Sequence, residues 1–459
     1  MHQQKPMTEG KIGKTLAVFA LPIFLGNLFQ QLYNTADSLI VGNFLGSGPL
    51  AAVSSSSALI FMLIGFLSGI ALGAGVVIAR YFGAQEEQKM KAAIHTTVAF
   101  GLLAGAAMTA IGVLLTPQIL QWMDTPQNVM ADSITYLRLY FAGSLGFVMY
   151  NIFVGILQAV GDSKHPLYYL MISSVINVVL DLFFIGVLHT GVGGAALATV
   201  IAQLVSAFLC LVQLVRTKDT FRIELNKIAL DKEMFRQIIQ IGLPSGVQNS
   251  IIAFANVVIQ ANINVFGPMA MAGVGAYSKV EGFAFLPINS LTMALTTFVG
   301  QNLGAGETQR ARRGGALGIG AAVLLAQSVG IVVFLFAPHL IQAFDQNPQV
   351  VAFGTEKARS AALFYCLLAY SHGASAVLRG SGRSVAPMVI LMTLWCVFRV
   401  AALAILIPLF HSIQVVYWIY PVTWFLTSLV FWFYLRKNPP GVASVKAMPE
   451  RKTRRENAA

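Results

Sequence analysis

Charge is scarce in this chain. Of its 459 residues 10% are Asp, Glu, Lys or Arg, against 56% hydrophobic, and the mean hydropathy is +0.72. A soluble domain carries about 25% charged residues, so too few are present to cover several soluble domains. An ordinary cytosolic enzyme and a disordered protein are thereby excluded. Cysteine is scarcer still. Cys210, Cys366 and Cys396 sit in apolar stretches without CxxC or Cys/His spacing, which excludes a disulfide scaffold and implies no metal site. A nucleotide motif is missing too: Gly13-Lys14-Thr15 would need glycine where Thr8 stands, and no strand precedes it. The first apolar run, beginning near Lys14, has no small-residue cleavage site and reads as a retained helix. An outer-membrane barrel would need strands of about ten residues alternating apolar and polar, and the apolar runs here are about twice that length.

Those runs are what the chain has in abundance, and each reads as a membrane-spanning helix. Charge clusters and Pro/Gly punctuation divide them into twelve spans, expected at 14–41, 50–79, 92–115, 133–158, 166–188, 192–215, 238–266, 272–299, 314–337, 359–379, 386–409 and 413–435. The net charge of +12 is distributed unevenly. With both termini cytoplasmic, the inside segments hold 25 of the 30 Lys and Arg, among them Lys89, Arg222 and Arg312. Between spans, the outside loops hold only Lys357, with Arg359 at a helix start. The positive-inside rule accounts for this bias, which leaves no call for nucleic acid as a partner.

The chain also repeats itself. At an offset of 221 or 222, Leu21-Pro22 meets Leu243-Pro244, and Asn27 and Asn34 meet Asn249 and Asn256. Pro117 and Asp124 meet Pro338 and Asp345, while Gly161 and Pro166 meet Gly382 and Pro387. Chance similarity between apolar helices would match Leu, Val and Ile instead. The expectation is an all-α integral membrane fold of twelve transmembrane helices in two homologous six-helix lobes. Their boundaries are an N-lobe 1–215, a linker 216–237, a C-lobe 238–435 and a basic tail 436–459. Six is even, so both copies enter the membrane the same way, related by a pseudo-twofold axis along its normal.

A charged side chain at the centre of a spanning helix costs about 2.5–3.5 kcal/mol, so each needs a partner or a use. In the first span Asn27, Gln30, Asn34 and Asp37 share one face. Polar glue between helices accounts for the amides but not for a formal charge at Asp37. In the fifth span Asn177 and Asp181 are one turn apart. Two carboxylates buried together cannot both stay charged cheaply; one takes up a proton or both share a cation. Oxygen ligands suit H⁺ or a hard ion such as Na⁺.

In the second lobe Asp37 and Asp181 have no acidic counterparts. Instead it carries Lys279 and Glu281 in the eighth span and Arg399 in the eleventh. Lys279 and Glu281 face different directions unless Gly282 and Pro287 break the helix. Glu281 is either in an internal ion pair with Arg399 or a substrate contact. His372 reads as a packing residue, and Trp418, Trp424 and Trp432 as interfacial or lipid-side.

Several segments together resemble the multidrug and toxic compound extrusion (MATE) transporters. They are Tyr33-Asn34-Thr35-Ala36-Asp37, Ile176-Asn177 to Asp181, Gly191-Val192-Gly193-Gly194-Ala195-Ala196-Leu197-Ala198-Thr199, Gly300-Gln301-Asn302-Leu303-Gly304-Ala305-Gly306 and Leu378-Arg379-Gly380-Ser381-Gly382. The pattern is most similar to the bacterial branch related to the DNA-damage-inducible members. The resemblance implies a monomeric secondary antiporter of the bacterial inner membrane, with no cofactor, exporting organic cations or drugs in exchange for H⁺ or Na⁺. It implies an ion site at Asp37, Asn177, Asp181 and Thr199. Gln30, Tyr33, Asn34, Asn256 and Glu281 are the expected substrate contacts. Another branch places an acid in the seventh span, where this chain has Asn249, Ile252 and Asn256. The alternative function is a flippase for lipid-linked saccharides, which would want several cationic residues in its cavity.

Overall fold

The structure, a computed structural model, describes residues 6–45, 47–123 and 125–441, with the backbone alone at 47–59, 61 and 62. Asp124 and the tail beyond Gly441 lie outside the described residues. Helices α1 (Ile12–Leu45), α2 (Ser47–Gly83) and α3 (Glu87–Trp122) are single spans. The fourth span bends by 47° between α4 (Gln127–Ala142) and α5 (Ser144–Ala159). α6 (Lys164–Asp181) runs on through a π turn at Leu182–Val187, and α7 (Val192–Arg216) follows.

Past a short 3-10 turn the order repeats. α8 (Lys232–Asn264), α9 (Pro268–Gly304) and α10 (Thr308–Gln342) lead to α11 (Pro348–Ala362) and α12 (Tyr365–Gly380), bent by 56°. α13 (Val385–Leu391), a π turn at Met392–Phe398 and α14 (Arg399–Phe410) make the eleventh span, and α15 (Gln414–Lys437) the twelfth. Among the described residues ten helices are long and apolar enough to span, and counting each bent pair as one brings the candidate spans to the expected twelve.

The fourth and tenth spans begin at Gln127 and Pro348, not at 133 and 359. Asn347 sets the start of α11: its side chain accepts from Gln349 N at 2.9 Å, and Pro348 occupies the first helical position, where a missing N–H costs nothing. Both bends fall at the same place in the repeat, at Gly143 and at Leu363–Phe364.

Two helices cross between the halves. At the foot of α1, Leu16, Phe19, Ala20 and Ile23 pack into a core with Leu295, Phe298 and Val299 of α9. Reciprocally, Met234, Ile238 and Ile241 at the foot of α8 join the first half's core with Ile70, Ala74 and Val77 of α2. Glycine makes the second crossing possible. A Cβ on Gly69 would run into the backbone of Gly246, and one on Gly73 into that of Gly242. With little hydrophobic drive between helices in lipid, such backbone contact is what holds them together.

The loops sort by end. Gln301, on α9, links the N-terminal segment to the α5–α6 turn, and Arg310 donates to the carbonyls of Gly10 and Glu9, each at 2.8 Å. Arg312 and Arg383 donate to Pro440 O and Asn438 O. Both described chain ends and the Lys/Arg-rich turns thus meet at one end of the bundle. The turns 188–191, 265–267, 343–347 and 411–413 between spans hold no Lys or Arg. One aromatic departs from expectation. Trp424 is buried against Tyr365 and Tyr420, because α15 turns that side into the second half's core, whereas Trp418 and Trp432 are exposed.

Candidate functional site

The polar stripe on α1 faces a cavity of about 480 Å³ lined by the first half and by Met293 of α9. Asn27, Gln30, Tyr33, Asn34 and Asp37 line it from α1, Tyr136 and Tyr140 from α4, and Thr199 and Gln203 from α7. Asp181 and Asn177, on α6, are fully buried, and the carboxylates of Asp181 and Asp37 adjoin. Helical spacing explains the convergence: α1 packs on α6, and α6 on α7, so one face of each looks into the same space.

Hydrogen-bond donors are missing from the centre of this arrangement. Among the described residues, none reaches Asp37 Oδ1 or either carboxylate oxygen of Asp181, and both amide atoms of Asn177 lack a partner. Buried polar atoms are almost always satisfied, and an unmet carboxylate is among the costliest exceptions. Such a pair has the chemistry to take up a proton or to share a small hard cation.

The structure thus brings Asp37, Asn177, Asp181 and Thr199 into one region, with Gln30, Tyr33 and Asn34 beside them. Asn256 is exposed on α8, and neither it nor Glu281 lines this cavity. Sequence reasoning missed Gln203, whose Oε1 is buried without a partner. Its signal was present: it lies one turn after Thr199 in an apolar span, on the same face. Tyr136 and Tyr140, one turn apart on α4, carry neither charge nor amide to mark them in the sequence.

The second half has its own charged cluster. Glu281 Oε1 accepts from Tyr277 Oη at 2.7 Å, and that hydroxyl meets Tyr365 Oη at 3.0 Å. Arg399 is buried and gives Nε and Nη2 to Thr423 Oγ1 at 3.1 and 2.6 Å, with its guanidinium over Tyr420. Lys357, expected in an outside loop, is instead on α11 and 3% exposed. Its ammonium sits 3.7 Å from the Tyr420 ring centroid. Lys279 is exposed over the Phe344 ring, so it and Glu281 face different ways along an unbroken α9. His372 packs between Phe285 and Trp395.

A family model, MatE, matches residues 22–183 and again 244–407. The chain belongs to the MATE family. It is a transporter fold and not an enzyme, and the double match carries the repeat seen in the sequence. Among curated MATE relatives, the probable multidrug resistance protein YoeA of Bacillus subtilis (strain 168) is 28% identical over 405 residues, covering 85% of this chain and 88% of its own. The probable multidrug resistance protein NorM of Thermotoga maritima is 26% identical, covering 84% of each chain. A protein named FAD transporter from Shewanella oneidensis is 24% identical, covering 76% of this chain and 78% of its own. Among solved structures, an outward-facing MATE family multidrug resistance transporter superposes with a TM-score of 0.89 at 22% identity. That match covers 95% of this chain and 98% of the other, and at this identity it speaks for the fold alone.

Proposed function

We propose that this MATE transporter exports organic cations across the bacterial inner membrane in exchange for H⁺ or Na⁺. The observation that carries the reading is the carboxylate pair Asp37–Asp181, buried in the first half without a hydrogen-bond donor. Asn177 and Thr199 supply neutral oxygens to the ion. Gln30, Tyr33 and Asn34 on the cavity wall meet the cargo, with Glu281 and Asn256 as contacts from the second half. The multidrug resistance names of several relatives support the cargo class.

The two halves are read as lobes 1–215 and 238–435 that rock about the linker 216–237, ahead of the basic tail 436–459. The chain works as a monomer with both termini and the basic end cytoplasmic. Placement beside the DNA-damage-inducible branch rests on the acids of the first half and on α8, which offers Asn249, Ile252 and Asn256 where another branch has a carboxylate. One ion whose charge the cargo does not compensate releases about 2.3 kcal/mol on falling through 100 mV, enough for a roughly fortyfold cargo gradient.

The test is ethidium efflux from proteoliposomes with H⁺ and Na⁺ gradients imposed separately. One of the two gradients is expected to drive it, and Asp181→Asn to abolish it in a folded protein. Normal pumping by Asp181→Asn, beside a dead but folded Glu281→Gln, moves coupling to the second half and ends this reading.

A further inference from the structure

The charged cluster of the second half does not balance. Lys357 and Arg399 are 3% and 4% exposed, and Glu281 is the carboxylate set among them. That carboxylate accepts from Tyr277 and makes no ion pair within 4 Å with either cation. Arg399 spends two of its nitrogens on Thr423. Lys357 Nζ is left with no hydrogen-bond partner among the described residues, and the rings of Tyr420, Tyr417 and Tyr277 surround it. The neighbouring acid, Glu356, offers no relief, because it is turned out to accept from Gln414 Nε2 at 2.9 Å. Ring faces attract a cation but accept no strong hydrogen bond, so three N–H groups go unmet.

We propose that Lys357, beside Arg399, is an anion-binding site for a carboxylate or phosphate group within the second half of the bundle. An ammonium so placed costs more than a glutamine or methionine of similar size unless something completes it. An oxyanion does so, offering oxygens to Nζ and cancelling the surplus positive charge. The aromatic walls suit the organic body of such a molecule. Towards its rim the cluster is less enclosed: Glu281, Phe285 and Tyr420 are half-buried, whereas Lys357 Nζ itself is covered. Next to Glu281, a Cβ on Gly282 would lie 3.9 Å from Gln31 of α1, so this side adjoins the helix that carries Asp37.

Purified full-length protein is titrated with sodium benzoate and with sodium orthophosphate at constant ionic strength, sodium chloride balancing. The readouts are intrinsic tryptophan fluorescence and the thermal unfolding midpoint. Trp395 and Trp424 both stand in the cluster, against Arg399 and Tyr420 respectively, so occupancy changes their emission. A saturable response is expected. If benzoate saturates, the ligand is the carboxylate of an organic molecule; if phosphate does, it is inorganic phosphate or a phosphate ester. Lys357→Gln is expected to weaken the half-saturation concentration by about tenfold or more, the worth of one charge-assisted hydrogen bond. Its unfolding midpoint without anion should be equal or higher. Lys357→Arg should retain binding, and Glu281→Gln should tighten it. No saturable response in the wild type overturns the proposal, and so does an unchanged response in Lys357→Gln. None of this requires a gradient or transport, so it stands or falls apart from the coupling assignment.

Discussion

The side-chain amide of Gln301, in the second half, donates to the main-chain carbonyl of Ala159, in the first, at 2.7 Å. Its oxygen accepts from Met7 N at 2.8 Å, and the residue is fully buried. One side chain therefore fastens both halves and the N-terminal segment at the basic end. Gln301→Ala leaves two buried main-chain groups unmet, at about 1–3 kcal/mol each. The expected outcome is a lower unfolding midpoint, together with faster labelling of a cysteine placed at Ala159.

Glycines at the same end are expected to be as sensitive. A Cβ on Gly83 would run into the Gln301 carbonyl, and one on Gly304 into that of Arg80. Backbone cannot yield as a flexible side chain does, so Gly83→Ala should cost about 1–3 kcal/mol. Gly320→Ala, where a Cβ meets nothing within 4 Å, is the control and should be neutral. Thermal unfolding of the two variants in the same detergent decides.

Asp181→Asn should unfold at the same temperature as the wild type or higher, since it removes a buried charge without a donor. Losing transport while keeping stability separates a coupling role from a structural one. A midpoint several degrees lower would show the carboxylate to be structural.

The linker offers a pH dependence outside the membrane. Lys227 hydrogen-bonds Glu224 at 2.6 Å and, with Lys91 adding its charge, holds that carboxyl below its ordinary value of 4.5. A carboxyl depressed on folding stabilises above its unfolded value, and the gain disappears as pH falls through the folded one. Amide protection factors across 217–231, corrected for the slower intrinsic exchange in acid, should therefore fall below pH 4.5. In Glu224→Gln that acid step should be absent.

Sidedness can be checked by labelling single cysteines in cells. Positions 89, 222 and 312 should react only from the cytoplasm, and position 345 from outside. External labelling at 222 would reverse the proposed orientation.

Much of this was legible in the sequence. Uncharged length gave the spans, and Pro, Asn and Gly in register gave the repeat, because those residues mark turns and breaks that apolar drift does not imitate. The α1 stripe was readable because its spacing is helical. Lys357 was not. Glu356 and Arg359 beside it make the stretch look like a loop, while the groups that host its charge, Tyr420 and Glu281, lie far away in sequence. Trp424 was misread for a related reason: hydropathy does not say which face of a helix finds partners. Gly65, Gly69 and Gly73, against Gly242 and Gly246, spell a close crossing at four-residue spacing. Their pairing across the two halves needed the fold.

The π turns have a consequence of their own. One begins directly after Asp181, where Leu188 N reaches back to Phe183 O at 2.9 Å, and the other ends directly before Arg399. Such a turn holds one residue more than an α turn, and one residue of helix is about 100° of rotation. Relaxing either turn to ordinary pitch would swivel the acid or the arginine about its own axis relative to the rest of its span. Each of these charges stands at a joint where a helix can change the direction it faces while every turn stays wound.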